Sequence, residues 1–299
     1  MHTRLITTGC GRYALLAAIG CAVLLGGRGV NAAGPSVARD VEYARVGAER
    51  LALDLHKPAG GTRAPLIVWV HGGAWRSGSR DSMPLVALVE QGYAVASVDY
   101  RLTPVAPFPA QVHDIKAAVR FLRAKQAELG IDAKRIAIAG DSAGGHLAAL
   151  VGVSAGVAEL EGNVGEYAGE SSAVQAIVDF YGPTNLTTIL DQSTPHGLGV
   201  RIPALQLLLG GQPEDKPEVA KLASVVTHVD ANDPPLLIIH GDQDPQVPIN
   251  QSHELVGKYE EFKRPVEFEV VHGGKHGGDE YHDAPRIEIV RAFLERIGE

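Results

Sequence analysis

Gly140-Asp141-Ser142-Ala143-Gly144 constrains this chain more than any other stretch. The apolar run Arg135 to Ala139 (RIAIA) precedes it and reads as a strand, and Gly144 to Val153 reads as a helix. G-x-S-x-G between a strand and a helix makes a turn so sharp that the residues two before and two after the serine must be small. The turn lifts the serine off the sheet, and the helix N-terminus behind it favours negative charge. A serine capping a glycine-rich turn would use the same letters. The strand-turn-helix context points instead to a nucleophile.

The rest of the chain supplies the sheet that such a turn needs. Leu51, Leu53 and Leu55 alternate with Ala52, Asp54 and His56, as on a half-buried strand. Short apolar runs follow at Pro65 to Val70 (PLIVWV), Tyr93 to Tyr100, Val174 to Tyr181, Pro235 to His240 (PLLIIH, which with Pro234 reads PPLLIIH) and Val266 to Val271. Between them the patterning predicts helices over Ser82 to Gln91, Gln111 to Leu129, Ser252 to Phe262 and Ala284 to Ile297. Strand–helix alternation with fully apolar strands predicts an α/β fold, a mainly parallel, doubly wound sheet covered on both faces. Ligands bind such sheets beyond the C-terminal strand ends. Residues 157–172 and 183–221 interrupt the alternation with glycine, proline and polar residues and read as irregular. The second is expected to be a small lid-like insertion over that edge, with Leu208 among the side chains offered to substrate.

The N-terminus reads as an export signal. Arg4 and Arg12 precede or flank an apolar run from Tyr13 to Leu25, and Val30 and Ala32 are small residues placed for a cut after Ala32. The expected organisation is a secretory signal over 1–32 and a single domain over 33–299, secreted or periplasmic. The 13-residue run is shorter than the ~20 needed to span a bilayer, so no stable membrane insertion is expected once the signal is removed. Both cysteines, Cys10 and Cys21, lie in the signal. A mature chain would therefore have neither a disulfide nor a thiol nucleophile. The whole chain has 27 basic and 35 acidic side chains, a net charge of −8. Nucleic acid and anionic membranes are thus poor partners. The oligomeric state is not legible.

A serine nucleophile needs a base and an acid later in the chain. Two aspartates compete after PPLLIIH: Asp242 is near enough to the strand to serve the turn, and Asp244, further along the loop, is the better-placed acid. Three histidines compete as base. His272 ends the VEFEVV strand and suits a structural pairing. His276 sits in the glycine-rich stretch Gly273–Gly278, free to reach across to Ser142. His282, nearer the last helix, is expected to be exposed. The order Ser142, Asp244, His276 is the one expected of an α/β-hydrolase. His71-Gly72-Gly73-Ala74-Trp75 follows PLIVWV, and Gly73 and Ala74 are the candidate oxyanion donors, joined by the Ala143 N–H. Trp75 either packs beneath that loop or lines the acyl pocket. No metal or organic cofactor is expected. The spacing His272-x3-His276 on a glycine-rich loop lacks helical preorganisation for a metal.

With these blocks the chain resembles a bacterial α/β-hydrolase of the esterase/lipase class, and more narrowly the branch of feruloyl-esterase and acetyl-xylan-esterase-like proteins. The matching stretches are VWVHGGAWRSGSRD (68–81), GYAVASVDYRLTPVAPFPAQVHDIKAAVRFLRA (92–124), IAIAGDSAGGHLAAL (136–150), DPPLLIIHGDQDPQVP (233–248) and GGKHGG (273–278). The resemblance implies an exported serine carboxylesterase acting through an acyl-enzyme. Its substrate would be a small-molecule or polysaccharide-linked ester, acetyl or feruloyl. It also implies that Asp99 or Arg101 ties the oxyanion loop to its neighbours. An arylformamidase keeps the chemistry and changes the bond, and a non-catalytic binding protein would use the scaffold alone; the latter commonly lacks a triad member.

Overall fold

In this computed structural model, residues 34–60 and 63–297 are described. The export signal expected over 1–32, with both cysteines, lies outside them. An eight-stranded sheet organises the rest. Its strands are β1 (Ser36–Val46), β2 (Glu49–Lys57), β3 (Ala64–Val70), β4 (Ala94–Val98), β5 (Ile131–Asp141), β6 (Ala176–Phe180), β7 (Leu236–Gly241) and β8 (Val266–Val271). Their spatial order is β1-β2-β4-β3-β5-β6-β7-β8. The first two pairings are antiparallel, and from β4 to β8 every neighbour is parallel.

The helices are α1 (Val86–Glu90), α2 (Ala110–Ala124), α3 (Gln126–Leu129), α4 (Ala143–Val153), α5 (Ala158–Glu161), α6 (Ile189–Gln192), α7 (Pro195–Leu209), α8 (Pro217–Leu222), α9 (Asn250–Glu261) and α10 (Ala284–Ile297). They cover both faces. Leu66, Val68 and Val70 of β3 point into one core with Val112 and Ile115 of α2, Leu147 and Leu150 of α4 and Leu255 of α9. Ile67 and Trp69 point into the other, with Leu88 of α1 and Ile287, Val290 and Phe293 of α10. PLIVWV is apolar throughout because neither of its faces meets water. Each fully buried aliphatic side chain of this kind stabilises the fold by roughly 1.5–3 kcal/mol. This is the α/β-hydrolase architecture.

Three local readings are corrected, and one strand went unread. β1 carries no alternation to announce it: most of its residues are exposed or half-buried, and it pairs with β2 through two register shifts. A bulged edge strand needs no apolar face. The helix expected from Ser82 begins only at Val86, because the Ser82 carbonyl accepts a hydrogen bond from Trp69 Nε1 (2.6 Å) instead of opening a helix. The long helix expected to Leu129 breaks at Lys125, giving α2 and α3. Residues 183–221 are largely helical rather than irregular, in α6, α7 and most of α8. α7 forms despite Gly197, Gly199 and Pro203. Thr194 caps it by accepting from the Gly197 N–H (3.0 Å), Pro195 opens it, and Ala204, Leu205, Leu208 and Leu209 are buried along it. Packing of an apolar face here outweighs poor propensity.

Candidate active site

The parallel strands end on one edge, and the loops that leave them meet there. At the end of β5, Ser142 has φ +52° and ψ −117°, a conformation costly for any residue with a Cβ. The turn closes only because its flanks are bare. A Cβ on Gly144 would fall on the carbonyl oxygens of Val70 and His71, and one on Gly140 would strike the Gly144 carbonyl. Ser142 N–H donates to the Phe180 carbonyl (2.8 Å), which pins the turn to β6. Ser142 is also the residue that precedes α4, so its side chain stands at that helix's N-terminus.

Ser142 Oγ lies 2.8 Å from His276 Nε2, and His276 Nδ1 lies 2.6 Å from Asp244 Oδ2. Asp244 Oδ1 accepts from the backbone N–H groups of Gln246 (2.7 Å) and Val247 (3.0 Å). Burial would raise the Asp244 pKa, but hydrogen bonds from His240 and His276 and the Val247 N–H outweigh it and hold the carboxyl well below its ordinary range. An ionised Asp244 makes Nδ1 of His276 the donor and leaves Nε2 free to accept the Ser142 hydroxyl proton. Tyr181 packs edge-on against the His276 ring, with centroids 5.0 Å apart.

The competing residues are elsewhere. His272 Nδ1 pairs with Asp242 Oδ2 at 2.9 Å, and the His272 side chain is 86% exposed. Asp242 also accepts from the Gly273 N–H (2.8 Å) and so closes its own loop. His282, expected to be exposed, is half-buried against Trp69 and Phe180. Among the described residues no group of three or more His, Cys, Asp or Glu side chains is arranged to hold a metal ion.

Three residues in a row after β3, Gly73, Ala74 and Trp75, have φ of +108°, +51° and +59°. The loop is fixed by Arg76 and Ser77 N–H groups donating to the Gly73 carbonyl (both 3.1 Å) and by Thr103 N–H donating to the Trp75 carbonyl (2.8 Å). Gly73 and Ala74 line a cleft of about 480 Å³ with Ser142 and His276. Ala143 is the first residue of α4, so its N–H has no partner within the helix. Asp99 accepts from Arg80, both its backbone N–H (2.8 Å) and its guanidinium, and so holds the segment that follows the loop, while Arg101 pairs with Asp114 on α2 (2.7 Å).

One expected substrate contact, Leu208, is corrected, and the open choice at Trp75 falls to the interior. Trp75 is fully buried beneath the loop and donates from Nε1 to His146 Nδ1 (3.1 Å). Leu208 is fully buried in the core. Neither lines the cleft. The insertion does reach it, through Val200 and Arg201 of α7, and Gln246, Tyr181, Asp141 and Arg76 complete much of the wall. Arg201 was detectable: with Ala204, Leu205, Leu208 and Leu209 it stands at i, i+3, i+4, i+7 and i+8, a charge on an apolar stripe. The irregular reading of 183–221 hid that stripe.

His146 links the loop to the residue that follows α8, since its Nε2 donates to the Ala223 carbonyl (2.7 Å) while Nδ1 accepts from Trp75. Burial pushes its pKa down to about 4. The unfolded chain takes up this proton near pH 6.5 and the folded one does not, so stability is held above that pH and lost as pH falls toward 4. His146 alone accounts for on the order of 3 kcal/mol across that interval. Urea midpoints at pH 7, 5.5 and 4.5 are expected to fall less steeply in His146→Gln than in the parent. Equal slopes would show that His146 is not held neutral.

The BD-FAE family model matches residues 53–259. The chain belongs to the BD-FAE family. This BD-FAE chain is 34% identical over 242 residues to "Esterase LipC" of Mycobacterium tuberculosis, an alignment that covers 78% of this chain and 59% of LipC. It thus spans little more than half the length of that curated relative. Its fold matches a solved "truncated form of carbohydrate esterase from gut microbiota", with TM-score 0.77, 31% identity, and 88% of this chain and 96% of the other covered. It also matches esterase 2 of Thermogutta terrifontis in a butyrate-bound structure, with TM-score 0.72, 29% identity and coverages of 89% and 95%.

Proposed function

We propose that this BD-FAE member is a serine carboxylesterase in which Ser142 is the nucleophile, His276 the general base and then acid, and Asp244 the residue that orients and stabilises the imidazole. The observation that carries the reading is the unbroken chain Ser142 Oγ, His276, Asp244 at 2.8 and 2.6 Å. Ser142 Oγ attacks the ester carbonyl as its proton passes to His276 Nε2. The oxyanion forms against the N–H groups of Gly73, Ala74 and Ala143. His276 then returns the proton to the departing alcohol, and water, activated by the same imidazole, frees the acid.

The substrate reading is an ester on plant polysaccharide, acetyl or feruloyl. The carbohydrate-esterase and butyrate-bound neighbours support a sugar-linked alcohol and a short acyl group. The first 32 residues support export to the periplasm or beyond, with a cut after Ala32. The test is a series of 4-nitrophenyl esters from acetate to decanoate, run beside methyl ferulate and acetylated xylan. Turnover highest on acetate or ferulate and present on xylan is the expected result. Turnover restricted to long acyl chains would replace the polysaccharide reading with a lipid one, and none on any ester would remove the esterase reading.

A further inference from the structure

Arg201 is 1% exposed, yet its Nε and Nη1 have no hydrogen-bond partner among the described residues. Two other lysine or arginine side chains are buried among those residues, Lys116 and Arg120, and both pair with the Glu161 carboxylate. Arg201 has no such anion. It lies over the Trp75 ring, 5.8 Å from its centroid, and forms part of the cleft wall beside Ser142 and His276. Burial pushes its pKa down to about 10, so it stays protonated at neutral pH. Asp244 attracts it electrostatically, but the Asp244 oxygens are already occupied by His276 and by the N–H groups of Gln246 and Val247. Arg76, exposed at the mouth of the same cleft, adds a second positive charge near it. A buried charge without a partner is costly unless something in the cleft pairs with it.

We propose that Arg201 determines specificity by binding a carboxylate carried by the substrate, so that the preferred esters are acidic ones. A guanidinium presents parallel N–H donors whose spacing matches a carboxylate. A monoanion suits the site better than a phosphate dianion, because Asp141 also lines the cleft and Asp244 lies behind His276. The carboxylate can sit on the acyl part, as in a half-ester of a dicarboxylic acid, or on the alcohol part, as in an acylated uronic-acid sugar. The proposal rests on the esterase reading and deepens it.

Two matched pairs separate these sources: 4-nitrophenyl hemiadipate against 4-nitrophenyl hexanoate, and acetylated methyl glucuronoside against acetylated methyl glucoside. In one pair the acidic ester is expected to exceed its neutral partner in kcat/KM by on the order of tenfold or more, the worth of one charge-assisted hydrogen-bonded pair. Arg201→Met should abolish that ratio and Arg201→Lys should keep part of it. Equal reaction of both members in both pairs, or a ratio that survives Arg201→Met, overturns the proposal. A second measurement depends neither on turnover nor on the Arg201 variants folding. Ser142→Ala, otherwise the full chain, is titrated calorimetrically with sodium adipate and sodium methyl glucuronoside at constant ionic strength. Saturable binding of one of them supports the proposal, and heats no different from sodium chloride overturn it. If no ester of either pair is hydrolysed, acidic or neutral, the esterase reading fails, and the titration still decides the fate of the carboxylate site.

Discussion

His276→Ala is expected to lower kcat on 4-nitrophenyl acetate by on the order of 10⁴ or more with the fold intact. The imidazole is the only base within hydrogen-bonding reach of Ser142 Oγ among the described residues, at 2.8 Å. Without it the hydroxyl must lose its proton to water, and the alkoxide leaving group has no acid to protonate it. The comparison that gives the result meaning is His272→Ala. His272 pairs with Asp242 on the solvent side of the same loop, so its loss is expected to leave kcat within about tenfold of the parent. Circular dichroism and melting temperature, measured on both variants, separate lost chemistry from lost folding. A dead His272 variant beside an active His276 variant would reverse the assignment.

Asp244→Asn is expected to cost roughly 10⁴ in kcat, and the hydrogen bonds say why. One carboxylate oxygen accepts from two backbone N–H groups, those of Gln246 and Val247, and the other accepts from His276 Nδ1. An asparagine can keep the first set only by turning its carbonyl oxygen toward those N–H groups. Its NH₂ then faces His276 and demands an acceptor there. The imidazole must move its proton to Nε2, where it points at Ser142 and can no longer receive the hydroxyl proton. The protein folds and binds ester but lacks its base. Asp242→Asn, at a carboxylate that pairs with His272 and the Gly273 N–H rather than with His276, is expected to remain within about tenfold of the parent. Equal losses at 242 and 244 would leave the orienting acid unassigned.

Several features of this protein follow from residue order alone. A short run apolar on every residue, such as PLIVWV, fits a strand covered on both sides, and the alternation of such runs with helical ones leads to a mainly parallel sheet. The glycines and alanine around Ser142 answer to a local requirement. The turn brings the Gly144 backbone against Val70 and His71, and anything larger would not close. Requirements of this kind lie within a few residues of one another, so they are written in the order of the letters.

What joins distant parts of the chain was decided only by tertiary structure. Asp242 and Asp244 are two residues apart, and their places along the loop only favoured Asp244 as the acid; the packing of β7 beside β8 sets one against exposed His272 and the other against His276. Residues 195–209 contain two interior glycines and a proline, yet they form α7 because burying Ala204, Leu205, Leu208 and Leu209 in the core outweighs their weak local preference. That same burial withdrew Leu208 from the cleft and carried Arg201 to its wall. Trp75 was open to either of two places, and the His146 ring waiting beneath the loop took it into the interior. Propensity and spacing act over a turn or two of chain, whereas the partner that fills a cavity or accepts a buried N–H is chosen from the whole molecule.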